Sequence, residues 1–178
     1  MDAQKILERH LGADTMLFET VYTHSKHVMR KALQLAEKHV ELPMDKAFIV
    51  EASLLHDVGV YKTHAPDIYC FGAFPYVCHG YLGREILEME GLPKHALVCE
   101  RHTGTGLYLA EIMEQNLPLP KRDLAPISLE EQLICFADKF FSKSHLNDEF
   151  SLDEVRCKLS KYGAKGLERF DKWAEMFL

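Results

Sequence analysis

Apolar residues in this chain recur at steps of three and four over most of its length, and strand-like alternation is nearly absent, so an all-α fold is expected. The longest such segment runs from about Met16 to His39. There Val21, Val28, Ala32, Leu35 and Ala36 fall on one helix face, which marks the central helix. A short leading helix covers 2–11. Asp45 is placed to cap a helix whose body, Ala47 to Leu55, is apolar around most of its circumference. From Gly59 to about Pro75 the glycines and prolines predict a long loop, a length usually tied to function. Helices are expected again at 79–89, at 94–103 and, shorter, at 107–116. Ser128 with Glu131, and Ser151 with Glu154, have capping-box spacing. The first pair opens a helix to about Ser142. The second opens a C-terminal helix, and a break at 163–166 separates that from a last one carrying Phe170, Trp173 and Phe177. No repeat, low-complexity tract or linker marks a second domain, so 1–178 is read as one all-α domain.

A chain of 178 residues, 47% hydrophobic, is long enough to fold without disulfides or a structural metal, so any metal is expected to be functional. Lys and Arg number 21 against 27 Asp and Glu, and the resulting charge of −6 argues against nucleic-acid polymers and anionic membranes as partners. Five cysteines, none in a CxxC pair, read as reduced core residues. With no export signal and no apolar run near the ~20 residues of a membrane span, a cytoplasmic protein is expected. Oligomeric state is left open.

Ten histidines raise the question of a metal. His56-Asp57 closes an apolar helix, where a buried carboxylate needs a cation or several donors. On the dipeptide alone an Asp simply hydrogen-bonded to its neighbour serves equally well. His24, His79, His102 and Asp138 also fall on or beside core-like stretches. Imidazoles with carboxylates suit first-row divalent metals, and the lack of a placed thiolate argues against a zinc knuckle. Six ligands exceed the need of one ion. With a bridging carboxylate they suffice for two, the arrangement that serves phosphoester hydrolysis.

In their order these residues resemble the HD-domain superfamily of metal-dependent phosphohydrolases. The likeness runs through His24-Ser25 with Val28, Ala32, Leu33, Leu35 and Ala36, then Leu54-Leu55-His56-Asp57-Val58-Gly59, His79-Gly80 with Gly83, Arg101-His102-Thr103, and Ala137-Asp138. It spans 20–143 and leaves the extension 150–178 outside. The resemblance implies an all-α domain of about five core helices, here with extra N- and C-terminal helices, with His24, His56, Asp57 and Asp138 around one divalent ion. Asp57 then bridges to a second ion held by His79 and His102, with iron or manganese favoured over zinc, cobalt, nickel or magnesium. It implies hydrolysis of a phosphomonoester or phosphoanhydride in a small nucleotide-like or sugar-phosphate substrate through a metal-bridging hydroxide, with Asp57 and His56 catalytic. The alternatives are a di-iron oxygenase of the same superfamily and a non-catalytic metal- and nucleotide-binding module. Cyclic-dinucleotide phosphodiesterases of the superfamily carry a lysine where Val60 stands here, so that assignment is disfavoured.

Lys62, His64, Arg101, Thr103 and Lys139 flank these ligands and are the candidate substrate contacts. His27 lies three residues from His24, but the offsets to Val28 and Ala32 favour His24 as the ligand. His10, His39, His95 and His145 stand among charged or polar residues and are read as solvated. Tyr61, Tyr69, Phe71, Phe74 and Tyr76 are expected to pin the 59–76 loop to the core.

Overall fold

The computed structural model describes residues 1–178. Its elements are α1 (Ala3–Leu11), α2 (Met16–Lys38), α3 (Lys46–Leu55), α4 (His79–Met89), α5 (Pro93–Arg101), α6 (Leu109–Glu114), α7 (Leu129–Asp138), α8 (Leu152–Ser160) and α9 (Ala164–Phe177). β1 (His64–Ala65) pairs antiparallel with β2 (Cys70–Phe71), so the fold is all-α apart from one short hairpin. No helix is long and apolar enough to cross a membrane.

Side-chain caps set the helix starts. Thr15, Asp45, Ser128 and Ser151 each accept a hydrogen bond from the backbone N–H three residues on. At Ser151 the box closes, because Glu154 accepts from the Ser151 N–H at 2.7 Å. At Ser128 it does not. Glu131 accepts instead from the Ile127 N–H and from Arg101, so the expected capping box is half made. The helix it opens ends at Asp138, four residues short of Ser142.

Two apolar cores meet along α2. One gathers Val28, Ala32 and Leu35 of α2 with Ile49, Phe136, Phe170 and Phe177. The other gathers Phe18 and Val21 of α2 with Leu7, Leu55, Val58, Ile86 and Cys99. His24 lies between Val21 and Val28, one turn from each, so the sequence that alternates cores also carries a polar group to their seam.

The 59–75 stretch is shaped by local structure. It holds a 3-10 turn at Val58–Lys62, then the hairpin, whose strands are joined by a second such turn at Pro66–Ile68, and a third at Tyr76–Cys78 leads into α4. The aromatics pin it less than expected. Tyr61 packs on the second core, whereas Tyr69, Phe71, Phe74 and Tyr76 are exposed. In β2 successive side chains point opposite ways, and Cys70 takes the inward place, so Phe71 faces out. Ile68, Cys70 and Thr63 anchor the loop instead.

Candidate metal centre

His24, His56, Asp57, His79, His102 and Asp138 come together from α2, the end of α3, the start of α4, the end of α5 and the end of α7. All six are buried. Asp57 divides its two oxygens. Oδ2 lies 3.3 Å from His24 Nε2 and 3.0 Å from His56 Nε2. Oδ1 lies 3.5 Å from His79 Nε2 and 3.4 Å from His102 Nε2. Asp138 Oδ1 completes the first group, 2.9 Å from His24 Nε2 and 3.4 Å from His56 Nε2. The donors thus form two sets that share Asp57, His24–His56–Asp57–Asp138 and Asp57–His79–His102.

Helix ends aim the rings. The last carbonyls of a helix lack intrahelical partners, and a histidine just beyond can fold back to satisfy one. His56 Nδ1 reaches Ser53 O at 2.6 Å, His102 Nδ1 reaches Cys99 O at 2.7 Å, and His79 Nδ1 reaches Tyr76 O at 2.7 Å. A carbonyl only accepts, so each Nδ1 carries a hydrogen and each Nε2 is the atom turned inward. Two buried thiols hold the same segments, Cys99 Sγ donating to His56 O at 2.8 Å and Cys135 Sγ to His102 O at 3.4 Å.

Three glycines permit the convergence. A Cβ on Gly59 would strike the backbone of His79 and Gly83, and one on Gly83 would strike Cys99 Sγ. One on Gly80 would meet Thr103 Oγ1 at 2.8 Å and Cys99 O at 2.9 Å. Bare backbone there lets α4 lie against both the 58–62 turn and α5, which carries His79 to His102.

These donors suit a divalent cation. His79 Nε2 and His102 Nε2 are 3.0 Å apart, yet both are lone-pair atoms. Burial and the neighbouring His102 push His79 down to about 3, and burial also lowers His102, so a proton between them is disfavoured at neutral pH. In the other set, burial opposes charge on His56, but Asp57 and Asp138 outweigh it and raise His56 to about 9. Burial would raise both carboxylates, yet His56 and Lys143 hold Asp57, and Lys139 and His24 hold Asp138, well below the ordinary range. Neither Asp57 oxygen, nor His56 Nε2, nor His24 Nδ1 makes a well-directed hydrogen bond. Four imidazoles with two carboxylates match manganese, iron, cobalt, nickel or zinc.

The candidate substrate contacts divide differently. Lys139 lines a cavity of about 280 Å³ beside the cluster, but its ammonium is bound to Asp138 Oδ2 at 2.6 Å and to His102 O at 3.0 Å. Arg101 turns away, with Nη1 on both Glu131 oxygens at 3.0 and 2.9 Å. Thr103 lies at the α4–α5 crossing beside Gly80, and His64 is exposed on β1. Neither these two nor Lys62 lines that cavity. His27 packs its ring near Phe141 and takes no part in either donor set. Of the histidines read as solvated, His10 and His95 are largely covered, each against a carboxylate, Glu90 and Glu51. Sequence reasoning missed Lys143, whose buried ammonium lies 2.6 Å from Asp57 Oδ2. It also missed the wall that Phe150, Val155, Lys158 and Leu159 of the C-terminal extension lend to the cavity.

The family model described as HD domain matches residues 21–142. An uncharacterized protein of Methanocaldococcus jannaschii is 37% identical over 146 residues, covering 80% of this chain and 77% of that one. Two proteins named tRNA (cytidine(56)-2′-O)-methyltransferase are also similar. The one from Picrophilus torridus is 29% identical over 72% of this chain and 33% of its own length, and the one from Thermoplasma volcanium 27% over 92% and 44%. The chain thus spans a third and under half of these two relatives. No solved structure matches it significantly.

Proposed function

The chain belongs to the HD-domain family, and from that premise we propose that it is a metal-dependent phosphohydrolase acting on a phosphomonoester or phosphoanhydride of a small nucleotide-like or sugar-phosphate substrate. The observation that carries the reading is the division of Asp57, one oxygen to each of two histidine sets, behind a cavity lined by His24 and Asp138 of the cluster and by Lys139, Lys143 and Lys158. A cavity with three lysines suits an anionic group, while the overall charge of −6 disfavours a long polyanion.

His24, His56, Asp57 and Asp138 would hold one ion, and Asp57, His79 and His102 the other. When bound, such a pair of ions supplies a water-derived nucleophile at neutral pH and neutralises charge developing on phosphoryl oxygens. The chain's own groups act by placement. The Nδ1–H bonds to Ser53, Tyr76 and Cys99 fix three rings in the tautomer that presents Nε2. Lys139 takes the outer oxygen of Asp138 and so leaves Oδ1 facing His24 and His56. In this reading a substrate phosphate would lie beside Asp138 and His24, with apolar Phe150, Val155 and Leu159 lining the rest of the cavity.

Similarity to tRNA methyltransferases covers only part of those proteins, and methyl transfer is not proposed for this chain. The test is phosphate release from a panel of nucleotides and sugar phosphates by manganese- or iron-loaded protein, with and without oxygen. Oxygen-independent release by wild type and its loss in Asp57→Ala supports the reading. Equal release by Asp57→Ala refutes it, and oxygen-dependent turnover without phosphate release favours the oxygenase.

A further inference from the structure

We propose that Lys143 is a tethered cation that occupies Asp57 until a divalent ion displaces it, and that the freed ammonium then binds phosphate oxygens in the adjoining cavity. The second half rests on the phosphohydrolase reading, the first does not.

Lys143 lies in the Ser142–His145 turn after α7, beyond the last ligand. Its side chain is only 10% exposed, which is unusual for a lysine and requires a compensating partner. That partner is Asp57 Oδ2 at 2.6 Å, with a second contact in which Nζ donates to Tyr76 OH at 3.0 Å. The comparison with Lys139 shows what is peculiar. Lys139 sits on Asp138 Oδ2, the oxygen turned away from the imidazoles, and can remain there while Oδ1 binds an ion. Lys143 sits on the oxygen of Asp57 that faces His24 and His56, the one an ion in that set needs. An ammonium and a divalent ion on one carboxylate oxygen repel strongly in a buried site.

The ammonium has a place to go. Lys143 and Tyr76 both line the cavity, with Lys158 on the α8 side, and a lysine's four-carbon stem reorients without moving the backbone. The swing exchanges one anionic partner, Asp57, for another, the incoming phosphate. Tyr76 OH, already a partner of Nζ, stays within the same cavity wall. One positive charge is thereby used twice, first to neutralise Asp57 and then to receive substrate.

The experiment titrates manganese, and separately inorganic phosphate onto manganese-loaded protein, by calorimetry with wild type, Lys143→Gln and Lys143→Arg. Removing the competing charge in Lys143→Gln is expected to tighten manganese binding on the order of tenfold and to weaken phosphate binding by a similar factor. Lys143→Arg is expected to keep the charge and stay near wild type in both. If Lys143→Gln folds only with manganese present, that metal-dependent rescue is itself the displacement result. Manganese binding that is unchanged or weaker in Lys143→Gln overturns the tethered-cation role, and unchanged phosphate affinity overturns the phosphate role. Tighter manganese binding in a protein that hydrolyses no phosphate ester supports the tethered cation while contradicting the phosphohydrolase reading.

Discussion

His79 Nε2 and His102 Nε2 face each other at 3.0 Å, although each ring has already committed its Nδ1 hydrogen to a backbone carbonyl. Two lone pairs at that distance repel, and a cation between them turns repulsion into ligation. Divalent metal is therefore expected to stabilise the fold. At one hundred times its dissociation constant the gain is about 2.7 kcal/mol, which in a chain this size corresponds to roughly 5–11 °C in Tm. Thermal melts with manganese against EDTA check this. His102→Ala is expected to lose part of the rise while melting normally without metal.

The same site predicts how metal-free stability depends on pH. His56 is raised from its ordinary 6.5 to about 9. The proton it binds stabilises the fold fully below pH 6.5, and that stabilisation is lost as pH climbs through 9. His79, lowered to about 3, acts in the opposite sense, because below pH 6.5 the unfolded chain takes a proton that the folded ring refuses. Metal-free protein is expected to melt highest near pH 6.5 and lower on either side. Manganese displaces the His56 proton, so its affinity should rise with pH up to about 9. Melts in EDTA from pH 5 to 9.5, with calorimetry in buffers of different ionisation enthalpy, read both effects. A flat profile contradicts the His56 assignment.

Gly59→Ala places a methyl against the backbone of His79 and Gly83, where no flexible side chain can yield. A cost of about 1–3 kcal/mol is expected from overpacking. Because the displaced segment carries His79, ion occupancy in the His79–His102 set should fall as well. Denaturant melts and metal analysis measure the two consequences. Loss of stability with full occupancy would mean that α4 moves without moving its histidine.

Arg101→Ala tests the placement of a residue that stands next to a ligand in sequence. Its Nη1 donates to both Glu131 oxygens, and Glu131 in turn accepts from the Ile127 N–H just before α7. Losing a partly buried charged pair is expected to cost about 1–3 kcal/mol of stability. KM for any accepted substrate should change less than about twofold, since the guanidinium faces away from the cavity. A large rise in KM with unchanged Tm would return Arg101 to the site.

The helices and the clustering of the six candidate ligands were legible because each depends on short-range rules. Periodicity placed α2, capping residues placed α3, α7 and α8, and ligand types in order marked the cluster. Which flanking residues face the cavity was not legible by adjacency. Neighbours on a helix point about a quarter-turn apart, so when His102 faces inward, Arg101 before it faces Glu131. Lys143 lay hidden for another reason. Its approach to Asp57 depends on how the chain turns after α7, where no periodic pattern reports direction. The exposed aromatics of the 69–76 segment show the same limit, since the two-residue alternation that turns Phe71 outward is too short to read from composition.

Metal stoichiometry tests the bridged centre most directly. Protein reconstituted with manganese or iron and freed of excess ion is predicted to hold two ions per chain by elemental analysis. His102→Ala should hold one, and Asp57→Ala, deprived of the group both sets share, should hold fewer than one. Wild-type protein that stays below one ion per chain after reconstitution would contradict the account.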